Sequence, residues 1–373
     1  MLRYAALTLF LTLPSFAQTA RLLISDQTLN PGQTVVAPLS IASAGQTIAA
    51  IQFDLQWESP LTVQLIPGEQ LRAAAKIPYT ASPTFQTLRC LVAGMNQTAI
   101  ADGELLKLFF SADPAASDSV THVSITNIVA ADPNGSALVV GASPAAVQVQ
   151  RGSPVQFLPT DAILNAAGLS PGPLSPGEII TIFGANSPPA TSLKISGALA
   201  PILYSGPAQM NAIVPFGLDL GASAMLEIRY PQRTAAISLP VARVTPGLFA
   251  TEGTGVGAGA ALNEDYTMNS LANPARPGSV VTVYGTGFGV LQSTVSDGQP
   301  VTAANSAAAT ITATVAGLPA TVLYAGAAPG LIAGMDEVDL RLPAGVVHNS
   351  SAPVVVTING SSSVSNVVTI AIQ

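Results

Sequence analysis

Two glycine-rich stretches of the chain match motifs that carry chemistry in enzymes. Residues 168–172 (GLSPG) match G-x-S-x-G, in which a nucleophilic serine stands on a sharp turn between a strand and a helix. Pro171 has no backbone N–H, so it cannot supply the oxyanion contact that the residue after the serine makes. We therefore interpret Ser170 as a loop serine and not as a nucleophile.

The second stretch, residues 253–258 (GTGVGA), matches the dinucleotide-binding variant G-x-G-x-x-A. That motif holds a pyrophosphate at the start of a helix within a strand–helix–strand unit. Here residues 263–266 (NEDY) predict a turn, and no amphipathic helix follows. We attribute the match to glycine-rich composition and predict no cofactor.

The histidines and the cysteine are too few and too scattered for a metal centre. A zinc site takes three or four nitrogen or sulfur ligands, whereas this chain has only His122, His348 and Cys90, in separate segments. We predict that both histidines lie at the surface and that Cys90, within an apolar run, is a buried and inert thiol. The sequence predicts no catalytic residue among them and no metal ligand.

Paired carboxylates remain as candidates, because two such groups can hydrolyse a glycosidic bond. Asp54 and Glu58 share the polar face of one predicted strand, and a second group comprises Asp336, Glu337 and Asp339. A solvated strand face or loop explains both groups. We therefore expect no enzyme activity and assign no catalytic residue.

Oxygen-rich turns offer a further alternative, which is structural calcium. Asp132 with Asn134, and Glu264 with Asp265, carry the oxygen ligands that Ca²⁺ prefers. Neither pair has the spacing of an EF-hand loop. We predict no cofactor, and structural calcium is the one alternative that stays open.

The composition excludes several classes of protein. The chain has 373 residues, of which 49% are hydrophobic and 9% are charged, against roughly 25% charged in an ordinary soluble domain. Its 13 Lys and Arg against 20 Asp and Glu give a net charge of −7, which argues against nucleic-acid binding. Disorder, a long coiled coil and a disulfide scaffold are excluded by the hydrophobicity, the missing heptads and the single cysteine.

The N-terminal segment has the pattern of an export signal. Arg3 precedes an apolar run at residues 4–13, and small residues then lead to a cleavage site after Ala17. This pattern predicts a signal peptide at residues 1–17 and an extracellular or cell-surface bacterial protein. The alternative is a membrane anchor, but the run is shorter than the roughly 20 residues that a span requires.

The next 130 residues predict a β-sandwich. Residues 51–58 alternate strictly, with Ile51, Phe53, Leu55 and Trp57 on one face, which indicates a strand with one buried face. Similar runs recur between turn signals, at about 21–25, 34–41, 61–66, 86–93, 104–111, 120–128, 137–141 and 145–150. Nine short strands at this spacing predict a two-sheet sandwich over residues 18–150.

This stretch resembles a cohesin domain. The resemblance is carried by residues 30–39 (NPGQTVVAPL), 51–57, 100–110 (IADGELLKLFF), 132–135 (DPNG) and 146–149 (AVQV). It implies a nine-stranded jelly roll of the kind found in cellulosome scaffolds, in which one sheet face binds dockerin modules on enzymes. Related folds include carbohydrate-binding modules, so a polysaccharide is the other implied partner. No partner-binding residue is assigned from the sequence.

The C-terminal half contains a degenerate repeat. Three blocks recur in the same order, with about 85–100 residues in each copy, the size of an immunoglobulin-like sandwich. The matched pairs are residues 175–184 with 276–285, 197–206 with 317–326, and 213–217 with 341–345. In the second block we expect Leu203 and Leu323 to be buried, and Tyr204 and Tyr324 to keep their hydroxyls in water.

Two resemblances bear on this half. Its proline-glycine openings are similar to the IPT/TIG group of immunoglobulin-like domains, and residues 165–373 resemble an uncharacterised C-terminal region of secreted acidobacterial-type proteins. The marks of the latter are residues 207–215 (PAQMNAIVP), 246–249 (PGLF) and 273–278 (NPARPG). The repeat, with the Gly- and Pro-containing stretch before it, predicts a linker at 151–160, repeats at 161–250 and 276–373, and a connecting segment at 251–275. The family resemblance runs through that segment. It brings no known activity.

Together these features predict an all-β, non-catalytic, secreted binding or adhesion protein. Its cohesin-like module would bind a dockerin-like protein or a polysaccharide, and the resemblance to cellulosome scaffolds implies a link to extracellular polysaccharide degradation. The alternative is a purely structural spacer of the cell envelope or matrix. A hydrolase or its accessory subunit is a third hypothesis. We expect no nucleic acid, no membrane span and contacts that depend little on salt; the sequence leaves the oligomeric state open.

Overall fold

The computed structural model describes five stretches of the chain, namely residues 19–151, 158–184, 189–231, 234–358 and 363–373. They form a succession of β-sheets with one short α-helix, so the all-β class is confirmed. The predicted signal peptide at 1–17 and residues 152–157 of the predicted linker lie outside the described residues.

The first module contains twelve strands and a helix between residues 19 and 151. These are β1 (Ala20–Ile24), β2 (Gln27–Leu29), β3 (Thr34–Ala42), β4 (Ala50–Gln56), β5 (Leu61–Pro67), α1 (Glu69–Ala73), β6 (Ile77–Thr84), β7 (Thr87–Ala93), β8 (Gly103–Ala112), β9 (Ser119–Ala131), β10 (Ala137–Leu138), β11 (Val140–Ala142) and β12 (Ala145–Val149). All nine predicted strands are present, the one at 137–141 as two short pieces.

The two sheets of this module enclose one apolar core. A five-stranded sheet has the order β11-β1-β3-β8-β5, and a seven-stranded sheet has the order β2-β12-β9-β4-β7-β6 with β10 beside β9. Leu22 and Phe110 of the first sheet pack with Phe53 and Val123 of the second. The sequence pattern missed β6, because this edge strand is mostly exposed and carries two prolines, which only an edge tolerates.

The second module is a sandwich of two four-stranded sheets, ordered β13-β14-β18-β17 and β16-β15-β19-β20. It opens with a short 3-10 helix, Thr160–Ala162. Its strands are β13 (Ile163–Asn165), β14 (Ile179–Phe183), β15 (Ser192–Ile195), β16 (Ala198–Leu199), β17 (Ile202–Ser205), β18 (Gln209–Ile213), β19 (Ser223–Arg229) and β20 (Thr234–Pro240). β19 and β20 alternate strictly between buried and exposed residues, so one face of their sheet closes the core.

The third module is built from ten strands in continuous pairing, ordered β21-β23-β27-β26-β25-β28-β29, with β22, β24 and β30 attached at the sides. They are β21 (Gly247–Leu248), β22 (Ala261–Asn263), β23 (Val280–Thr286), β24 (Asn305–Ser306), β25 (Ile311–Val315), β26 (Leu318–Ala327), β27 (Asp336–Arg341), β28 (Asn349–Ile358), β29 (Ser363–Val364) and β30 (Val368–Ile372). β21 pairs within the third module although it lies before residue 250, where the first repeat is predicted to end. The end of the first repeat at residue 250 stays a prediction.

Strand register reproduces the repeat that the sequence shows. β14 pairs with β18 so that Thr181 lies opposite Asn211, and β23 pairs with β27 so that Thr282 lies opposite Asp339. In both modules the threonine hydroxyl bonds its partner side chain, at 3.2 Å and 2.5 Å. The two modules therefore share one pairing scheme as well as three sequence blocks.

The same register explains why two burial predictions are wrong. In β17 and in β26 the pairing shifts by one residue, at Leu203 and Leu323. Each leucine is thus the extra residue of a β-bulge and lies outside the ladder, 39% and 50% exposed. The hydroxyl of Tyr324 is also not free in water, because it accepts from the Asn305 N–H at 2.9 Å and donates to the Ala327 carbonyl at 2.7 Å.

The first and second modules share an apolar contact. Ile66 and Phe109, on the outer face of the five-stranded sheet, belong to the same buried cluster as the core of the second module. The ring of Phe109 lies 4.7 Å from the ring of Phe183, centroid to centroid. The outer face of the five-stranded sheet is therefore covered at this point by the second module.

A turn at residues 165–169 receives contacts from the other two modules. The Arg72 guanidinium of α1 donates to the carbonyls of Gly168 and Leu169 at 3.0 and 3.1 Å. From the third module, Gly255 packs so closely that a Cβ there would lie 2.6 Å from the Gly168 carbonyl oxygen. The GLSPG stretch, interpreted above as a loop, is thus part of a joint between modules.

Replacing Arg72 by methionine tests this joint. The variant keeps the aliphatic stem but leaves the Gly168 and Leu169 carbonyls of the turn, and the Pro67 carbonyl of the first module, without their charged donor. We therefore expect the first urea-unfolding transition to lose about 2–4 kcal/mol. The control is Arg21→Met, at an exposed position on β1. Equal unfolding midpoints for the two variants would contradict the assigned role.

Candidate functional site

The outer face of the seven-stranded sheet presents a row of side chains across four neighbouring strands. In register, Tyr79 of β6 lies opposite Leu91 of β7, Leu91 opposite Gln52 of β4, and Gln52 opposite Val129 of β9. Tyr79, Leu91 and Val129 are large apolar side chains that remain exposed. Three such residues in one row form a candidate contact surface.

The next row of the same face contains an ion pair. Arg89 of β7 donates from Nε and Nη2 to the two carboxylate oxygens of Asp54 on β4, at 2.7 and 2.8 Å. Asn127 of β9 donates to the same carboxylate at 2.8 Å. These hydrogen bonds, chiefly the one from Arg89, lower the pKa of Asp54 below its usual range, although burial opposes them. The carboxylate is therefore a fixed anion that holds Arg89 in place.

The placement of Asp54 corrects the predicted polar pair. Asp54 was expected on a solvated face, yet it is only 3% exposed, because Arg89 and Asn127 cover it. Glu58 is exposed, and β4 ends at Gln56, before Glu58 is reached. The Glu58 carboxylate accepts instead from the Thr121 hydroxyl at 3.2 Å. The structure thus gives the two acids different partners.

We call these two rows the open face, comprising Gln52, Asp54, Tyr79, Leu91, Arg89, Asn127 and Val129. Phe85, in the turn that joins β6 to β7, is a further highly exposed aromatic residue at one end of these two strands. The surface combines apolar side chains with one preorganised charge pair. Such a combination suits contact with a folded partner better than it suits covalent chemistry.

The second group of acids is divided between the two sides of β27. Asp336 lies in the interior and accepts from the Phe288 N–H at 3.0 Å, and burial raises its pKa to about 7. Glu337 and Asp339 bracket the buried Val338, and partial burial raises the pKa of Glu337 to about 7. Asp339 is bonded to Thr282. Strand alternation therefore separates Asp336 from the other two carboxylates.

The remaining candidates take the following places. Cys90 is fully buried, so the predicted burial is confirmed. Desolvation raises the pKa of its thiol to about 12, which is consistent with the predicted lack of reactivity. His122 and His348 are both exposed, as predicted. Asp132 accepts from the N–H groups of Asn134 and Ser136, each at 2.8 Å, which explains it as a turn residue.

Among the described residues, no three His, Cys, Asp or Glu side chains are grouped so as to share a metal ion. Within those residues no helix has the length and apolar character needed to cross a membrane.

A buried polar group that the sequence analysis missed supports the joint. Glu178 accepts from the Asn165 amide at 3.0 Å and from the Ser175 N–H at 3.0 Å. Asn165 in turn donates to the Thr245 carbonyl and accepts from the N–H groups of Ala167 and Gly168. Burial raises the pKa of Glu178 to about 7, against these hydrogen bonds. The sequence signal for this group is a glutamate that follows Pro-Gly and directly precedes an apolar strand.

The similarity to a known protein family lies in the first module. Residues 21–149 match the family model of the cohesin domain. These residues form a cohesin-like domain. No curated protein matches the chain.

Solved cohesins are similar to this part of the chain. The cohesin CaCohA2 from Clostridium acetobutylicum is 21% identical, with a TM-score of 0.33, over 37% of this chain and 95% of its own. The sixth cohesin of scaffoldin B from Acetivibrio cellulolyticus, solved with a dockerin, is 20% identical, with a TM-score of 0.33, over 36% and 100%. A non-cellulosomal cohesin from Archaeoglobus fulgidus is 12% identical, with a TM-score of 0.32, over 36% and 93%.

Buried carboxyl groups predict how stability depends on pH. Because the folded pKa of Glu178 is raised to about 7 from 4.5, its contribution is complete below about pH 4.5 and is lost as the pH rises through 7. We expect the free energy of unfolding to fall by about 1–3 kcal/mol per such group between pH 5 and pH 8. Urea unfolding at both pH values measures this fall.

The isosteric variant Glu178→Gln removes the ionisation of this group, so its fall between pH 5 and pH 8 should be smaller than in the parent. Asp161→Asn, at an exposed position, is the matched control and should keep the full fall. If Glu178→Gln retains the entire pH dependence, the assignment is wrong.

Proposed function

We propose that the chain is a non-catalytic binding protein whose cohesin-like domain binds a protein partner through the open face. One observation carries the choice of face. The outer side of the five-stranded sheet is packed against the second module through Ile66 and Phe109, whereas the open face exposes Tyr79, Leu91 and Val129. A partner as large as a folded domain finds a broad free surface on the second sheet.

The chemistry of the open face supports a folded protein as its partner. Aromatic residues and arginine are enriched in protein interfaces, where apolar side chains supply affinity and a few fixed polar groups supply register. Tyr79 and Leu91 fit the first role, and Arg89, fixed by Asp54, fits the second. Following the resemblance to cohesins, we propose a dockerin-like module as the partner.

The setting of this interaction is proposed from the N-terminal segment and the composition. A signal peptide at residues 1–17 would export the chain to the extracellular space or the cell surface, where dockerin-bearing enzymes could act on polysaccharides. The 9% charge leaves neutral polar groups over much of the surface. Because the Asp54–Arg89 pair is satisfied within the domain, binding should change little between low and moderate salt.

The joint favours a second candidate function, that of a structural spacer. Arg72, the 165–169 turn and Gly255 join the modules through hydrogen bonds and close packing. In the binding proposal the second and third modules, the proposed immunoglobulin-like IPT/TIG repeats, present the cohesin-like domain at a fixed distance. In the spacer alternative they act without any partner on the open face.

Leu91→Glu and Val129→Glu discriminate between these functions. Each places a charge in the apolar row, so we expect the affinity of the full chain for a responsive dockerin to fall by about tenfold or more. Val347→Glu, at an exposed apolar position on the third module, is the control and should bind as the parent does. Biolayer interferometry with a panel of purified dockerin modules, and a polysaccharide array, measures both.

Three outcomes are informative. Dockerin binding that Leu91→Glu weakens and Val347→Glu leaves intact supports the proposal. Binding of a polysaccharide, with no binding of any dockerin, would show that the protein recognises carbohydrate and not a protein partner. The absence of any ligand, together with assembly in sedimentation, favours the spacer.

A further inference from the structure

A glycine-rich hairpin of the third module packs against both other modules. Its two arms meet where Ala250 pairs with Gly259 in an antiparallel bridge. The tip, residues 252–257, carries the three glycines of the GTGVGA stretch, which matches a dinucleotide-binding motif in sequence. We call residues 250–259 the glycine hairpin.

Hydrogen bonds fix the glycine hairpin to its own module. The Gly259 N–H donates to the Thr369 carbonyl at 2.8 Å, and the Thr369 N–H donates to the Gly257 carbonyl at 2.7 Å. The Asn366 amide donates to the Gly255 carbonyl at 2.8 Å. Because these bonds reach an arm and the tip, the hairpin is held as a part of the third module.

The tip touches the two neighbouring modules at points where a side chain would not fit. A Cβ at Gly255 would lie 2.6 Å from the Gly168 carbonyl oxygen of the second module. A Cβ at Gly257 would lie 2.3 Å from Cδ1 of Ile77 in the first module. Gly257 also has a φ of 94°, a conformation that favours glycine. The glycines of this stretch thus serve close packing between modules.

Ile77 belongs to the same sheet face as the open face. It begins β6, and because side chains alternate along a strand, Ile77 and Tyr79 point to one side while the buried Pro78 points to the other. Tyr79 is exposed, whereas Ile77 is half-buried. The glycine hairpin therefore packs on the outer face of the seven-stranded sheet, beside the row that contains Tyr79.

The strand that receives this contact is weakly held by its own module. Among the described strands, β6 pairs with β7 alone, and every residue from Tyr79 to Thr84 is exposed. An edge strand with so little buried surface lies at the low-stability end of a fold. The contact between Gly257 and Ile77 adds a second hold, from the side that a partner would approach.

We propose that the glycine hairpin controls the open face by holding β6, and with it Tyr79, in the position that a partner binds. This proposal rests on the function proposed above for the open face. Coupling between two sites is reciprocal, so a partner on the open face would in turn strengthen the docking of the hairpin on Ile77. The third module is then a part of the binding unit and not only its support.

Gly257→Asn in the full chain tests the hold on β6. Asparagine tolerates a positive φ better than most residues, so the clash with Ile77 is the main change. Gly253→Asn is the matched control, because Gly253 has a φ of 64° and nothing within 4 Å of its Cβ position. Hydrogen exchange followed by mass spectrometry should become about fivefold faster in β6 of Gly257→Asn and stay at the parent rate in Gly253→Asn.

Ile77→Ala removes the same contact from the other side and should also speed the exchange of β6. Because the two changes break one contact, the increase in the double variant Gly257→Asn/Ile77→Ala should be smaller than the product of the single increases. The affinity of a responsive dockerin, measured by biolayer interferometry, should fall in Gly257→Asn and stay unchanged in Gly253→Asn.

The proposal is overturned if β6 of Gly257→Asn exchanges at the parent rate, or if it exchanges faster while dockerin affinity is unchanged. Faster exchange that spreads to the central strands β4 and β9 also overturns it, because the variant would then unfold the domain instead of releasing β6. If no dockerin binds the parent, the function proposed for the open face fails. Faster exchange confined to β6 would still support the hold by the hairpin, and exchange at the parent rate would still exclude it.

Discussion

The backbone turn that follows Asn165 is the constraint on which the arrangement of this molecule depends. The Asn165 side-chain oxygen accepts hydrogen bonds from the N–H groups of Ala167 and Gly168, and the Asn165 amide donates a hydrogen bond to the Glu178 carboxylate. The turn can then offer the carbonyls of Gly168 and Leu169 to a guanidinium from another module. A charged donor on two carbonyls is among the stronger polar contacts available to a protein, and both ends are fixed by their own local structure.

The position of this joint decides which surfaces stay free. With α1 held at the turn, the five-stranded sheet of the cohesin-like domain lies with Phe109 against Phe183. The seven-stranded sheet keeps its outer face in solvent, where Asp54 holds Arg89 between exposed apolar side chains. On the third module, Asn366 donates to the carbonyls of Leu248 and Gly255 and so extends the joint across that module. The proposed partner surface thus follows from which face the joint covers.

The sequence predicted local patterns well and long-range partners poorly. Alternation in residues 51–58 located β4 and its buried face, and the apolar run around Cys90 predicted the buried thiol. The repeat was visible because three blocks recur in order. The pattern could not show that Leu203 and Leu323 are bulge residues, since a one-residue shift in pairing depends on the neighbouring strand. Asp54 looked solvated because its cover, Arg89, is 35 residues away.

For the candidate site, the pattern of residues predicted the strands but not which face of their sheet stays exposed. Nothing local indicates that Phe109 will be covered by Phe183, because that contact forms between modules. Glu178 was overlooked for the same reason, since the Thr245 segment that completes its surroundings lies far along the chain.

Hydroxyl-radical footprinting of the full chain tests most directly whether one sheet face is covered and the other is free. We expect Tyr79 and Leu91 to be modified rapidly, and Phe109 and Ile66 to be protected to the same degree as the core residue Phe53. Modification of Phe109 and Ile66 at the rate of Tyr79 would contradict this arrangement, because the five-stranded sheet would then be as open to a partner as the seven-stranded one.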